Sequence, residues 1–377
     1  MPAGDPQRRC AAYDRGGMSH PKGQAGPAPV RVYGKWLLQS RSIGASERRR
    51  SQTGVRMQAV IQDRYGHPDV LRLGELPEPV PADNEVLLRV RAVSLNGSDR
   101  ENLMGSPAYA RWSNGLRRPR HPVPGSDVAG VVAAVGSGVT EYAVGDELFG
   151  ELAGYRGGLA DLVCTRPKLL ARKPGGLSFA EASTIPQAGG IARRATADVR
   201  PGDRVLVNGA GGAGGVFVVA LAKHAGAEVT AVDRADKGDF LREIGADRTI
   251  DFATEDWADE RDSFDLIVDL VARRSPFRVH RALRRGGRYA MVGGLARVLL
   301  GTAVAGPLVG RATGKRVGVL VVPQSRAELE AVTALVAQGA LTPRIDHVYP
   351  LRDAPAAFAR LAAGESRGKL VLEVSEG

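Results

Sequence analysis

The sequence predicts an α/β fold in which a domain of alternating strands and helices, wound on both faces of a parallel sheet, interrupts a mostly β domain. Three observations carry that reading. Val205 to Arg234, VLVNGAGGAGGVFVVALAKHAGAEVTAVDR, reads as strand, glycine turn, helix, strand. Short strands spaced by glycine turns occupy the region from Met57 to Cys164, and helix and strand alternate from Ser178 onward.

Residues 1–56 are rich in Gly, Pro, Ser and Arg, include the run Arg48-Arg49-Arg50, and show no sustained period. They are expected to be a disordered basic extension, or residues added by a start codon placed too far upstream; an Arg-rich transit peptide is the alternative. Ordered pattern begins at Met57. Met57–Gln62 and Val70–Leu76 read as strands, and Glu85–Val93 (EVLLRVRAV) alternates apolar and charged residues as a half-buried strand does. A Pro- and Arg-rich stretch leads from the loop at Asn96 to Pro124. GSDVAGVVAAVGSGVT (125–140), VGDELFGEL (144–152) and Ala160–Cys164 complete what reads as a compact antiparallel β domain.

Ser178 is a candidate N-cap with Glu181 three residues on, the capping-box spacing. After the central stretch the predicted elements are a helix Asp239–Ile244, strands Arg248–Ile250 and Phe264–Leu270, a helix Pro276–Arg284, and a strand Arg288–Val292 entering Gly293-Gly294. A strand Arg316–Val322 and a helix Ala327–Gln338 come next, then a short helix Ala354–Ala362 and a closing strand Lys369–Val374. The two β-type flanks are expected to form one domain.

The order strand, glycine turn, helix, strand is what dinucleotide binding needs. A turn without side chains lets backbone amides approach a pyrophosphate, and the helix start adds a partial positive charge. Gly209, Ala210, Gly211, Gly212, Ala213, Gly214 and Gly215 form that turn, in two registers that the sequence leaves open: Gly209-x-Gly211-x-x-Gly214 and Ala210-x-Gly212-x-x-Gly215. Asp233, eighteen residues after Gly215, stands where an acid can bond the adenosine ribose.

Composition excludes several classes. The net charge of +11 suggests nucleic acid, yet residues 1–56 hold eleven Lys or Arg against three Asp or Glu, so they carry +8 and the rest only +3. A nearly neutral body argues against nucleic-acid binding. Two cysteines, Cys10 and Cys164, exclude a disulfide framework and a four-cysteine zinc lobe, and a reducing, cytoplasmic location is the expectation. The longest apolar run, Val298–Gly310, has thirteen residues with Gly and Pro inside, too short to span a bilayer.

Over Met57 to Val374 the chain resembles the medium-chain dehydrogenase/reductase superfamily, on its zinc-independent quinone oxidoreductase side. The motifs are YGHPDVLRLGELPEPVP, LNGSDRENLMG, PGSDVAGVVAAVGSGV with VGDELFG, the glycine fingerprint, IGADRTIDF, ALRRGGRYAMVGG and RGKLVLEV, in that order. The resemblance implies a chaperonin-10-like (GroES-like) catalytic domain, split in sequence, with an inserted Rossmann domain. It implies catalytic segments 57–180 and 323–377 around a Rossmann domain 181–322. Zinc-dependent members have a cysteine and histidine where this chain has Leu95-Asn96-Gly97-Ser98-Asp99, and Gly-His-Glu where it has Gly125-Ser126-Asp127. Without thiolate or imidazole donors, zinc-free chemistry is expected.

A chain without a metal can still pass hydride to a conjugated acceptor, which spreads the developing charge over its own π-system. The resemblance therefore implies NAD(P)H-dependent reduction of a quinone or an α,β-unsaturated carbonyl. A cofactor-binding protein with little turnover is the alternative. On the acceptor side the candidates are Asn96, which the resemblance places beside the nicotinamide, Asp99, which also reads as a turn or helix cap, and Tyr109, a candidate proton donor or packed lid residue. On the cofactor side Asp233 favours NAD over NADP, although Arg234 and Lys237 could partner a 2′-phosphate. Gly293 and Gly294 resemble the family's backbone contact to the nicotinamide, and Lys369 is a candidate cofactor contact or a solvated strand end. Between Pro186 and Pro201 the segment is shorter than in relatives, with Arg193 and Arg194 where apolar helix residues are expected. The flat apolar strand Arg316–Val322 suggests a sheet edge that pairs with a second copy, a homodimer.

Overall fold

The computed structural model describes residues 54–374, together with all side chains in that span except those of Tyr109, Trp112 and Ser113. The basic extension expected over 1–56 lies outside the described residues, apart from 54–56.

Strands β1 (Arg56–Gln62) and β2 (Leu71–Pro77) form an antiparallel pair, tied to the rest of the first β segment by a bridge from Ala59 to Ala160 and by a bond from Gln62 N to the Pro122 carbonyl at 2.7 Å. β3 (Val86–Ser94) leads into helices α1 (Gly97–Met104) and α2 (Tyr109–Asn114), neither of which the Pro- and Arg-rich stretch suggested. β4 (Asp127–Val135), β5 (Glu147–Glu151), β6 (Leu162–Thr165) and β7 (Leu170–Arg172) complete the first segment. Helix α3 (Phe179–Ser183) opens with the expected capping box: Glu181 N donates to Ser178 Oγ at 3.2 Å, and Ser178 N to Glu181 Oε2 at 2.8 Å.

After α4 (Pro186–Thr196) come β8 (Arg204–Asn208), α5 (Gly215–His224), β9 (Glu228–Asp233), α6 (Gly238–Glu243), β10 (Arg248–Asp251), β11 (Phe264–Asp269), α7 (Pro276–Val279), β12 (Leu283–Met291), α8 (Ala296–Thr313) and β13 (Arg316–Val319). The order β10-β9-β8-β11-β12-β13, parallel throughout, is a doubly wound sheet. The chain closes with α9 (Arg326–Ala337), β14 (Ile345–Pro350), α10 (Ala354–Ala363) and β15 (Lys369–Glu373). β14 and β15 join the first segment's sheet in the order β14-β15-β3-β4-β5-β7, with β6 on β3, so the two flanks contribute strands to one sheet.

Several expected elements differ. β14 and β15 pair in parallel, so the flanking sheet is not purely antiparallel. The helix expected over Pro276–Arg284 is a single turn, because the strand after it begins early, at Leu283. The apolar run Val298–Gly310 lies in α8, whose Val298, Thr302, Gly306 and Val309 are buried. At Gly306 a Cβ would come 2.8 Å from the Val317 carbonyl, so only glycine allows the helix this close to β13.

Three large cores accompany the two sheets among the described residues. One gathers the inner faces of β3, β4 and β15 with α10; a second gathers α4, α5, β8 and β9; a third packs α7 and α8 against β11, β12 and β13. α5 is apolar over its first half, with Val216, Phe217, Val218 and Val219 all at most 3% exposed, each stabilising the fold by about 1.5–3 kcal/mol through burial.

Candidate active site

The glycine turn lies at the C-terminal end of β8. Gly209 takes φ +85°, a left-handed conformation that favours glycine, and its amide donates to the Val232 carbonyl at 2.9 Å. Gly215 opens α5, where a Cβ would lie 2.2 Å from the Gly209 carbonyl oxygen. The two positions with the firmest demand for glycine thus take one residue from each sequence register. Between them Gly212, Ala213 and Gly214 are half-buried, leaving backbone accessible over the helix start. These residues fit a dinucleotide: a Cβ would come 2.8 Å from the Lys237 side chain at Gly211 and 2.2 Å from the Gly209 carbonyl oxygen at Gly215, so the turn packs this tightly only without side chains and leaves its backbone accessible.

Asp233 ends β9 with its carboxylate already engaged. Oδ2 accepts from Gly211 N at 2.8 Å, Oδ1 accepts from Arg234 N at 2.9 Å, and the Lys237 ammonium lies 3.3 Å from Oδ1. Lys237 is 2% exposed, so the cation foreseen as a phosphate partner is folded onto the acid instead. Arg234 pairs with Asp236 at 2.9 Å and lines a cleft of about 380 Å³ with Ala235, Gly238, Arg242 and Asp251. At the end of β12, Gly293 O accepts from Ala272 N at 2.9 Å and Gly294 takes φ +138°, with its would-be Cβ 2.3 Å from the Ala272 carbonyl oxygen. Beneath these loops Asp269, buried at the end of β11, accepts from Asn208 Nδ2 and Tyr289 OH, each at 2.8 Å. Burial raises its carboxyl above the usual range.

The residues expected on the acceptor side form a buried polar network. Asn96 is the N-cap of α1 and 3% exposed. Asp99 is the acid of a capping box: its Oδ2 accepts from Asn96 N at 2.7 Å and from Ser126 Oγ at 3.1 Å. Ser126 Oγ in turn accepts from Asn96 Nδ2 at 3.2 Å. Lys369, fully buried, donates to Asn96 Oδ1 at 2.7 Å and lies 3.8 Å from Asp127 Oδ2. Its ammonium thus belongs to this buried network, not to a solvated strand end, and it contacts Asn96 rather than the glycine turn. Gln187, at the start of α4, extends the network. Its backbone N donates to Asp127 Oδ2 at 3.1 Å, its Nε2 to Glu151 Oε1 at 2.7 Å, and its Oε1 accepts from Ser98 Oγ at 3.1 Å. Tyr109 opens α2 at the far end of this loop; its side chain is not among those described.

Three buried carboxylates thus face one buried lysine. Desolvation pushes Asp99 up to about 7 and Glu151 up to about 8, each raised further by the Asp127 charge, and it also raises Asp127. Burial lowers Lys369, against the opposing pull of Asp127, Asp99 and Glu151. Sequence reading did not single out Glu151, Gln187, Asn208, Asp269 or Tyr289. The signal for three of them was local: a polar residue ends each apolar strand in RVLVN, FDLIVD and ELFGE. The unexpected Arg193 and Arg194 both grip Glu328 of α9, at 2.6 and 2.7 Å, so α4 forms in full.

At the positions of zinc ligands in metal-dependent members stand an amide (Asn96), a hydroxyl (Ser126) and a carboxylate (Asp127), with a lysine ammonium among them. That donor set does not fit zinc: it lacks thiolate and imidazole and already holds a cation. Among the described residues no group of three His, Cys, Asp or Glu side chains is arranged to hold a metal ion.

Comparisons with known proteins agree with this architecture. The alcohol dehydrogenase GroES-like domain family matches residues 82–189, and the zinc-binding dehydrogenase family matches residues 244–372. A 2-methylene-furan-3-one reductase of Solanum lycopersicum is 32% identical over 330 residues, covering 84% of this chain and 79% of the relative. A chloroplast envelope quinone oxidoreductase homolog of Arabidopsis thaliana is 30% identical over 340 residues, covering 85% and 99%. The solved structure of the quinone oxidoreductase from Coxiella burnetii superposes with a TM-score of 0.76 at 28% identity, covering 85% of this chain and all of that one. The chain belongs to the medium-chain dehydrogenase/reductase superfamily, among its quinone oxidoreductase-like members.

Proposed function

We propose that the protein reduces a quinone or an α,β-unsaturated carbonyl with hydride from NAD(P)H, without zinc. The observation that carries this reading is the junction of an accessible glycine turn on a doubly wound sheet with a buried amide–hydroxyl–carboxylate–lysine network at the ligand positions of metal-dependent relatives. The relatives named as a quinone oxidoreductase homolog and as a 2-methylene-furan-3-one reductase support the acceptor class. The backbone of 209–215, Asp233 and Gly293-Gly294 would hold the cofactor, which supplies the hydride. The cleft beside Arg234 fits its adenosine end. Asn96, Ser98 and Gln187 border the acceptor, and Asp99 acts through Asn96 by fixing the start of α1. With α4 formed and both its arginines paired, the non-catalytic alternative loses its main motive.

The carboxylate at Asp233 disfavours a 2′-phosphate, so NADH is the preferred donor. β13, outermost in the parallel sheet, is the proposed pairing edge of a homodimer. No helix among the described residues is long and apolar enough to cross a membrane, and the cytoplasm is the proposed location. Oxidation of NADH and NADPH against a panel of quinones and enones tests the assignment: tight cofactor binding with no turnover of any acceptor would overturn it. Stoichiometric zinc by elemental analysis would overturn the metal-free chemistry, and a monomer in sedimentation at micromolar concentration the dimer.

A further inference from the structure

Three consecutive residues, Arg367, Gly368 and Lys369, reach three different loops. Arg367 Nη2 donates to the Asp236 carbonyl at 2.9 Å, beside the adenosine cleft. Gly368 N donates to the Gly211 carbonyl at 3.0 Å, inside the glycine turn. Lys369 Nζ donates to Asn96 Oδ1 at 2.7 Å, at the head of the acceptor loop. The tripeptide is itself held firmly. Gly368 has φ +114°, with its would-be Cβ 2.6 Å from the Arg344 carbonyl oxygen, and Lys369 N donates to that same carbonyl at 2.8 Å.

The polarity of the last contact is forced. An ammonium only donates, so it fixes Asn96 with Oδ1 toward Lys369 and Nδ2 toward Ser126. The Ser126 hydroxyl proton goes to Asp99, whose carboxylate also takes the Asn96 backbone amide. One lysine therefore sets the sense of a chain of hydrogen bonds that defines the first turn of α1. Reversing the amide would turn its N–H groups against the ammonium and its oxygen toward a serine oxygen whose proton is committed elsewhere.

We propose that Lys369 is a positioning residue that acts through Asn96, and that Arg367–Gly368–Lys369 couples cofactor occupancy of the glycine turn to the order of the acceptor loop. A dinucleotide seated on residues 209–215 bears on the carbonyl that Gly368 holds, and the next residue carries that constraint to Asn96. The acceptor loop is then held in its working geometry through Lys369 when cofactor occupies the turn. The proposal rests on the cofactor-binding part of the function proposed above, and one of its two tests does not require turnover.

In the first test, hydrogen exchange is followed by mass spectrometry on the full chain, with and without saturating NADH. In the wild type, cofactor is expected to slow exchange of residues 97–104 at least fivefold. Lys369→Met abolishes that change while protection of residues 209–215 persists. If the variant kept the protection of 97–104, the coupling would be refuted. The second test is a double-mutant cycle on kcat with Asn96→Ala. Lys369→Met alone should lower kcat tenfold or more with the NADH Kd within twofold, and should add nothing in the Asn96→Ala background. Multiplying losses, or a Kd rising as far as kcat falls, would reject the positioning role. Should Lys369→Met not fold, Lys369→Met/Asp127→Asn removes the ammonium together with the carboxylate 3.8 Å from it and enters the same two measurements, with the same outcomes deciding. Absence of turnover in the wild type would count against the proposed reduction alone, because the exchange experiment reads the coupling by itself.

Discussion

The amide of Gly211 donates to Asp233 Oδ2 at 2.8 Å across 22 positions of sequence, so the acid proposed to meet the ribose also pins the glycine turn. On its other oxygen the same carboxylate has the buried Lys237 ammonium. The proposed donor preference would thus rest on a pair, with the acid neutralising the cation that a 2′-phosphate would need.

Asp233→Ser removes the negative charge and releases Lys237. The ratio of kcat/KM for NADPH over NADH should rise by roughly tenfold or more, equivalent to about 1.4 kcal/mol of relative binding. NADH affinity should fall as well, because the turn loses its acceptor at Gly211. Initial rates with both donors check this, and an unchanged ratio would remove Asp233 from the selection of cofactor.

Gly215→Ala tests the cradle. Its Cβ would lie 2.2 Å from the Gly209 carbonyl oxygen and 2.5 Å from that of Ala210, both backbone atoms that cannot swing aside. The turn must shift, with a cost of about 1–3 kcal/mol in stability. Cofactor affinity by fluorescence titration should fall tenfold or more. Gly175→Ala is the control, since a Cβ there has nothing within 4 Å. Equal behaviour of the two variants would show that the turn tolerates a side chain.

What the sequence made legible is local. A strand, a glycine turn and a helix lie within thirty residues, and their backbone demands, φ +85° at Gly209 and no room for a Cβ at Gly215, are visible as residue types. The parallel sheet grows from that unit and its repeats. Lys369 and Asn96 meet across 273 positions because β15 pairs with β3, Val371 opposite Ser94, and Leu95 N donates to the Leu370 carbonyl. Such a register arises from the assembled sheet, and no period in either strand announces it. Glu328 was hidden in the same way. Arg193 and Arg194 look misplaced on an apolar helix until α9, more than 130 residues later, brings the carboxylate that both require.

That pairing makes a third prediction. Glu328 is 6% exposed and takes both guanidiniums, which hold its carboxyl below the usual range against the opposing effect of burial. Glu328→Ala leaves two arginines crowded without their acid, and stability should fall by about 1–3 kcal/mol. Glu328→Gln keeps the shape and loses the charge, so it should lie between. Urea denaturation of the three proteins orders them, and a neutral effect of Glu328→Ala would show that α4 and α9 hold together by apolar packing alone.

The carboxylates beneath Asn96 give stability a pH dependence with a definite sign. Glu151 rises from an ordinary 4.5 to about 8 in the folded chain, and Asp99 from 3.8 to about 7. Over that window the folded state binds protons that the unfolded chain has released. The stabilisation is complete below the unfolded values, near pH 4, and is lost as pH rises through about 7 to 8. Glu151→Gln keeps an oxygen for Gln187 Nε2, now at 2.7 Å from Glu151, and removes the titration. Thermal unfolding of wild type and variant should nearly coincide at pH 5, and at pH 9 the variant should melt at least ~3 °C higher. If the two melting curves moved in parallel from pH 5 to pH 9, Glu151 would titrate alike in the folded and unfolded chain, and the proton held beneath the acceptor loop would belong to another member of the network.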